Sequence, residues 1–241
     1  MNRPTVGFSA CAIAPGTIVL EEGYQNQING SGDALSATNI QYPQSFTRFG
    51  IAPRFELDAI GPAYNTLATP DGRGGFVRTH GYQDSGVGFK FEFAPKGRYT
   101  IAIDGLYTAP TGSAGFSAGG STETADVDLA YAVTPTFGIG TTISASSTSG
   151  SRADGSIARY RVFLPSIVTT LQLPHAYQLY AEYVYASKLA PDRDGRAFVD
   201  YGVQKLLGKR FELDAELGAS ITPDLTKKFN YLGIGLGIQL R

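Results

Sequence analysis

The sequence predicts an all-β chain closed into an up-and-down antiparallel transmembrane β-barrel of about 12 strands. Three observations carry that expectation. Apolar and polar residues alternate strictly through most of the 241 residues, which is the period of a strand whose two faces meet different environments. Short and long connections also alternate along the chain, as they do when tight turns collect at one rim of a barrel and loops at the other. Finally, the apolar parity of these segments is nearly free of charge, while the opposite parity carries almost every strand charge. A lipid-facing exterior around a wet lumen has that inside-out pattern.

Composition agrees. Charged residues make up 17% of the chain, against about a quarter in an ordinary soluble domain. Gly is abundant at 30 residues, and Tyr and Phe supply 14 each, the side chains and turn formers of β structure. No window approaches the roughly 18 apolar residues of a membrane helix. Twenty basic residues face 21 acidic ones, so no bulk attraction to nucleic acid is expected. The single cysteine, Cys11, excludes a disulfide framework and a multi-cysteine metal site.

Met1-Asn2-Arg3-Pro4 and the short apolar run ending at Ala12-Ile13-Ala14 have the outline of a signal peptide, but Ser9 interrupts the run and it is too short. The preferred reading is a mature sequence behind a start Met. Residues 1–15 are then an N-terminal periplasmic segment ahead of one barrel domain that spans 1–241.

The first strands run through 17–26 and 43–50, where the parity is ambiguous, as it is again at 158–171. Phe55/Leu57/Ala59 then interleave with Arg54/Glu56/Asp58, and Val87/Phe89/Phe91/Phe93 with Gly88/Lys90/Glu92. Tyr99/Ile101/Ile103/Tyr107 alternate with Thr100/Ala102/Asp104, Val127/Leu129/Tyr131 with Asp126/Asp128/Ala130, and Phe137/Ile139/Ile143 with Gly138/Gly140/Thr142. Toward the C-terminus, Leu179/Ala181/Tyr183 face away from Gln178/Tyr180/Glu182, and Val199/Tyr201/Val203 from Asp200/Gly202/Gln204. Phe211/Leu213/Ala215/Leu217 oppose Arg210/Glu212/Asp214/Glu216, and Leu232/Ile234/Leu236/Ile238 oppose a run of glycines.

Short turns are expected near 52–53, 94–97, 134–135, 173–175 and 207–209. Long Gly/Ser/Asp/Thr-rich connections are expected at 27–41, 61–83, 109–122, 146–156, 187–196 and 220–228. A soluble β-sandwich would alternate too, but its loops have no reason to sort by length and its outer faces should be polar. An even strand count puts both termini at the short-turn rim. Glu22 is the awkward residue: if Glu21 faces the lumen, Glu22 faces lipid, at a cost of about 1 kcal/mol or more. The expectation is that the first strand is bulged or its parity inverted.

At Gly16-Thr-Ile-Val-Leu-Glu-Glu-Gly-Tyr24, Tyr42-Pro-Gln-Ser-Phe-Thr-Arg-Phe-Gly-Ile51, Phe55-Glu-Leu57, Ala109-Pro-Thr-Gly112 and Tyr180-Ala-Glu-Tyr183, the chain resembles an outer-membrane transporter family associated with meta-pathway phenol degradation. The resemblance spans nearly the whole chain and implies a barrel that passes small, often aromatic or hydrophobic, molecules. It also implies that Glu21, Arg48, Glu56 and Glu182 occupy recurring polar strand positions. The chain departs from a common outer-membrane ending at Arg241, where a terminal aromatic is usual.

Catalytic motifs do not assemble. Gly115-Phe-Ser117-Ala-Gly119 matches the G-x-S-x-G pattern, but the strand, sharp turn and helix of a nucleophile elbow are missing around it. The two histidines, His80 and His175, belong to opposite rims. Gly202 to Lys209 has the wrong spacing for a phosphate loop, and Asp192-Arg-Asp194-Gly195 lacks the bidentate acid of a calcium loop. No catalytic residue, metal or cofactor is expected.

The lumen carries the functional information. On this parity its acids are Glu21, Glu56, Asp58, Glu92, Asp104, Asp126, Asp128, Glu182, Asp200, Glu212, Asp214 and Glu216, and its bases Arg48, Arg54, Lys90, Arg159, Arg161 and Arg210. These 18 are the candidate pore-lining residues. They either pair with one another across strands or leave a negative field that favours cations and uncharged solutes. The expected protein is a monomeric porin-like channel or transporter in a Gram-negative bacterial outer membrane. Its partners are lipid and small solutes. The competing readings are a structural or adhesive barrel with a blocked lumen and, third, an outer-membrane hydrolase.

Overall fold

The computed structural model describes residues 5–7, 9–29, 37–93, 97–221 and 228–240. Most of the expected turn at 94–97, the centres of the connections at 27–41 and 220–228, and the C-terminal Arg241 lie outside the described residues. The chain forms β1 (Ile18–Asn29), β2 (Ala37–Gln41), β3 (Phe46–Ala52), β4 (Phe55–Ile60), β5 (Tyr64–Pro70), β6 (Phe76–Tyr82), β7 (Ser85–Glu92) and β8 (Tyr99–Ala109). It continues through β9 (Thr122–Ala132), β10 (Phe137–Ser151), β11 (Ile157–Leu173), β12 (Tyr177–Ala190), β13 (Arg193–Leu207), β14 (Phe211–Ile221) and β15 (Phe229–Gln239).

All 15 strands belong to one antiparallel sheet, and pairing of β15 with β1 closes it. The barrel has 12 strands around its girth because three neighbouring spans are each broken in two. β1 pairs with β3 through Ile18 to Glu21 and with β2 through Gln25 to Asn29. β4 and β5 continue the next span, and β7 and β6 the one after it. The breaks are stitched by backbone: Gly23 and Gln44 exchange hydrogen bonds of 3.1 and 2.8 Å, and the N–H groups of Tyr42, Gly61 and Gln83 donate to the carbonyls of Tyr64, Ser45 and Ala63, each at 2.8 Å. Backbone pairing of this kind across a break is the condition for tolerating irregular backbone at membrane depth.

Alternation sorts the side chains as expected. Val87, Phe89, Phe91, Ile103, Val127, Ile143, Leu179, Leu213, Leu232 and Ile234 lie exposed on the outside, an apolar surface far beyond what a soluble domain displays. Tyr99 and Tyr131 stack at 4.6 Å between centroids and Lys205 Nζ sits 3.8 Å over the Tyr177 ring at the short-turn rim, where membrane barrels carry aromatic residues. Among the described residues no helix is long and apolar enough to cross a membrane.

Two expectations about the strands are corrected. The connection at 61–83 contains β5 and β6, and those at 146–156 and 187–196 are mostly continuations of β10, β11, β12 and β13. Small polar residues there look like loop, yet pairing with a neighbour holds them extended. At the tip of the β5–β6 hairpin, the N–H groups of Arg73 and Gly75 donate to Asp71 at 2.7 and 2.9 Å, which holds its carboxyl below the usual range. The first strand is neither bulged nor inverted. Its register against β15 is continuous, Glu21 is inward, and the Ser45 hydroxyl, freed by the break between β2 and β3, donates to the outward Glu22 at 2.7 and 2.9 Å.

Candidate functional site: the lumen and the segment within it

The interior is polar to an unusual degree. Among the largest fully buried side chains are Arg48, Lys90, Glu21, Glu56, Asp128 and Asp200. Eleven of the 12 expected lumenal acids are buried, and Glu92 is half-buried on the same face of β7. Glycines at inward positions make the room: a side chain at Gly233 would collide with Glu216, one at Gly218 with Tyr231, and one at Gly202 with Tyr180.

The bases do not follow. Only Arg48 and Lys90 of the expected six are inside. Arg54 occupies the turn between β3 and β4 at φ 67°, and Arg210 the turn before β14, so both sit at the short-turn rim. Arg159 and Arg161 are exposed on the outer face of β11, in register with Ser149 and Ser147 of β10. The alternation of β11 is correct, but its upper end rises beyond the apolar exterior, where outward charge meets water and parity no longer separates lumen from lipid.

Arg48 and Lys90 each serve a group of carboxylates. Arg48 donates to Glu56 through Nε at 2.9 Å and Nη2 at 3.0 Å, and its Nη1 lies 3.6 Å from Glu21. Lys90 Nζ is 3.3 Å from Asp104 and 3.9 Å from Asp128, and the Thr142 hydroxyl donates to Asp128 at 2.6 Å.

Residues 5–7 and 9–13, part of the N-terminal segment expected to be periplasmic, lie against the inward side chains of the barrel. The N–H groups of Val6 and Gly7 donate to the two oxygens of Glu182 at 2.7 and 2.9 Å. Ala12 N–H donates to Glu92 at 2.9 Å and Ile13 N–H to Glu56 at 2.6 Å. Lys90 donates to the Ser9 carbonyl, and Arg48 Nη2 to the Cys11 carbonyl at 3.0 Å. The segment enters through β3: Gly16 N–H donates to the Gly50 carbonyl at 2.8 Å, Gly50 N–H to Thr17 at 2.9 Å, and a side chain at Gly50 would strike the Ala14 carbonyl. An extended backbone in a lumen has unpaired donors and acceptors along its length, and anionic acceptors with cationic donors satisfy them strongly. Beside the segment remains a cavity of about 410 Å³, walled by Gly138, Gly140, Thr142, Val168, Gln178 and Glu212.

At the short-turn end, Gln172 donates to Gln178, Gln178 to Gln204, and Gln204 to Glu212 at 3.3 Å, a ladder across four strands. Toward the other rim, the Tyr180 hydroxyl donates to Asp200 at 3.2 Å, and Arg196 lies 3.8 Å over the Phe229 ring, which packs at 5.4 Å against Phe198. Tyr180 was legible as a polar-parity residue. Arg196 lies in a stretch whose composition reads as loop but which β13 extends through.

Gly115 and Gly119 sit in a loop at φ 82° and 75°, without the strand and helix of a nucleophile elbow. His175 lies in a turn at the short-turn rim and His80 on β6. No group of three or more metal-binding side chains occurs among the described residues.

No protein-family model and no curated protein matches the chain in sequence. Solved structures match its fold. An outer membrane channel from Pseudomonas putida F1 aligns with a TM-score of 0.70 at 12% identity, covering 98% of this chain and 100% of that one. NanC porin aligns at 0.62 and 13% identity over 92% and 100%. A monoaromatic hydrocarbon channel, CymD, aligns at 0.55 and 8% identity over 94% and 89%. The translocator domain of the autotransporter NalP from Neisseria meningitidis also aligns, at 0.59 and 8% identity over 92% and 87%. The shared feature is the closed barrel.

Proposed function

We propose that the chain is a monomeric bacterial outer-membrane channel that passes small cationic or uncharged solutes, aromatic and hydrophobic ones among them, through a lumen narrowed by its own N-terminal segment. The observation that carries this reading is the segment itself, held by Glu56, Glu92 and Glu182 with a cavity of about 410 Å³ alongside. A purely structural interior could be filled with side chains, as small barrels are. Here inward glycines keep one side open. Fold likeness to porins and channels supports a channel role. The aromatic preference draws on the family resemblance and on the fold likeness to CymD, a monoaromatic hydrocarbon channel.

The same segment favours a second reading, a structural barrel with a closed lumen. Conductance in planar bilayers separates the two, supported by swelling of liposomes in small sugars and in a monocyclic aromatic alcohol. Discrete single-channel steps and solute-dependent swelling are expected. A barrel that inserts but neither conducts nor admits any solute is structural.

A further inference from the structure

The outer wall carries a second feature that passage through the lumen does not use. On β9, β10 and β11, outward residues fall in registered rows: Ala125, Ala145 and Phe163 in one, and Glu123, Ser147 and Arg161 in the row above it. The two alanines leave a groove of about 530 Å³ between Phe163 on one side and the charged row on the other. Ser187 closes its end, its hydroxyl oxygen accepting the Phe163 N–H at 2.8 Å.

The charges of the upper row are unequal. Glu123 is paired with Arg159, which also donates to the Ser147 hydroxyl oxygen at 2.9 Å and the Ser121 carbonyl at 3.0 Å. Arg161 is exposed and makes no hydrogen bond or ion pair among the described residues. The height of the groove matters. On β11 the outward residues from Leu173 up to Phe163 are uncharged, and residues 163–173 have the length of about 9–11 residues that a membrane strand needs. Arg161 is therefore the first outward residue above the apolar band, on the loop side. A free guanidinium at the top of a hydrocarbon-facing groove matches an amphiphile with an anionic head and acyl chains: the head meets Arg161, and a chain lies against Phe163 over the two alanines.

We propose that this groove binds the phosphorylated headgroup of an outer-leaflet glycolipid, with Arg161 as the phosphate ligand and Ala125 and Ala145 as the floor for an acyl chain. The inference rests on the reading of the chain as an outer-membrane barrel. The neutralised Glu123–Arg159 pair sets the groove's edge without repelling the phosphate.

The test is native mass spectrometry of the full chain folded in detergent, titrated with a diphosphorylated, multiply acylated glucosamine disaccharide and with its dephosphorylated form. Retention of the phosphorylated lipid should fall about fivefold in Arg161→Gln, the loss of one basic contact near a membrane surface. A bulky floor in Ala145→Phe should lower it too, and the dephosphorylated lipid should bind weakly to every variant. Heat-modifiable migration of each variant first establishes that the barrel has formed. A barrel that never forms overturns the membrane reading as well, whereas a formed barrel that holds both lipids equally, or is unaffected by Arg161→Gln, overturns only the groove. Competition by millimolar inorganic phosphate with no dependence on acyl chains would assign the site to a free anion. A dimer lost in Arg161→Gln would assign the groove to a second copy of the chain. Either result overturns the proposal.

Discussion

Arg48 grips Glu56 diagonally across β3 and β4, donating from both Nε and Nη2 while its 3.0 Å bond to the Cys11 carbonyl ties the same guanidinium to the lumenal segment. Wall and segment are thus held by one cation. With Glu21 at 3.6 Å and all three side chains sealed from solvent, Arg48→Met removes a buried cation from between two buried carboxylates. A loss of about 3–5 kcal/mol is expected, the usual cost of stranding a buried charge. Urea titration of the folded barrel in lipid vesicles measures it. The double variant Arg48→Met/Glu56→Gln should recover part of the loss, and a single variant as stable as wild type would show that the pair is solvated.

Phe91 and Ile234 test the outer face. Both are exposed apolar residues, at 38% and 54%, and arginine in either place meets hydrocarbon, at a cost of about 2–4 kcal/mol near the midplane. Arginine at Gly140, which lines the interior cavity, should instead leave a folded barrel with lower conductance. The readout is the folded fraction on vesicle insertion, followed by conductance. Equal folding losses at all three positions would contradict the assignment of faces.

The exterior and the acidic interior were legible because each strand keeps one period along the apolar band, with Glu22 as the outward exception. Where hydrocarbon ends, the rule loses force: Arg159 and Arg161 keep the outward parity of β11 but stand in water. Arg54 and Arg210 extend the polar parity one step too far, into turns where direction is set by backbone conformation. The lumenal segment was illegible for another reason. Its contacts run through the N–H groups of Val6, Gly7, Ala12 and Ile13, and a backbone amide leaves no mark in side-chain chemistry. Glu22 looked anomalous because its partner, Ser45, lies in a strand break that periodicity does not report.

Glu182 is the clamp whose removal should loosen the segment most selectively. Its two oxygens take consecutive amides, and a charged acceptor contributes about 1.5–3 kcal/mol per hydrogen bond. Glu182→Gln keeps the volume but loses the charge and one acceptor. Larger current fluctuations and higher mean conductance are expected in planar bilayers, and deletion of residues 5–13 should raise conductance severalfold. A deletion variant that folds and conducts like wild type would show that the segment does not narrow the path.

Ion preference follows from the inequality of charge inside the wall. Twelve expected acids face inward while only Arg48 and Lys90 of the expected bases do, and Arg196 adds one further inward base, so the imbalance still exceeds the one foreseen from sequence. A low-dielectric wall concentrates that field along the path and enriches cations there. Asp126 and Asp128 are inward neighbours on β9, with Lys90 approaching Asp128 only to 3.9 Å. Asp126→Asn/Asp128→Asn removes two charges at nearly constant volume and keeps strand pairing intact. The wild type should be cation-selective by reversal potential across a salt gradient, and the double variant less so. The difference should shrink as the Debye length falls from about 10 Å at 0.1 M to about 3 Å at 1 M. An anion-selective wild type would mean that the segment's own charges, rather than the wall's carboxylates, set the field along the path.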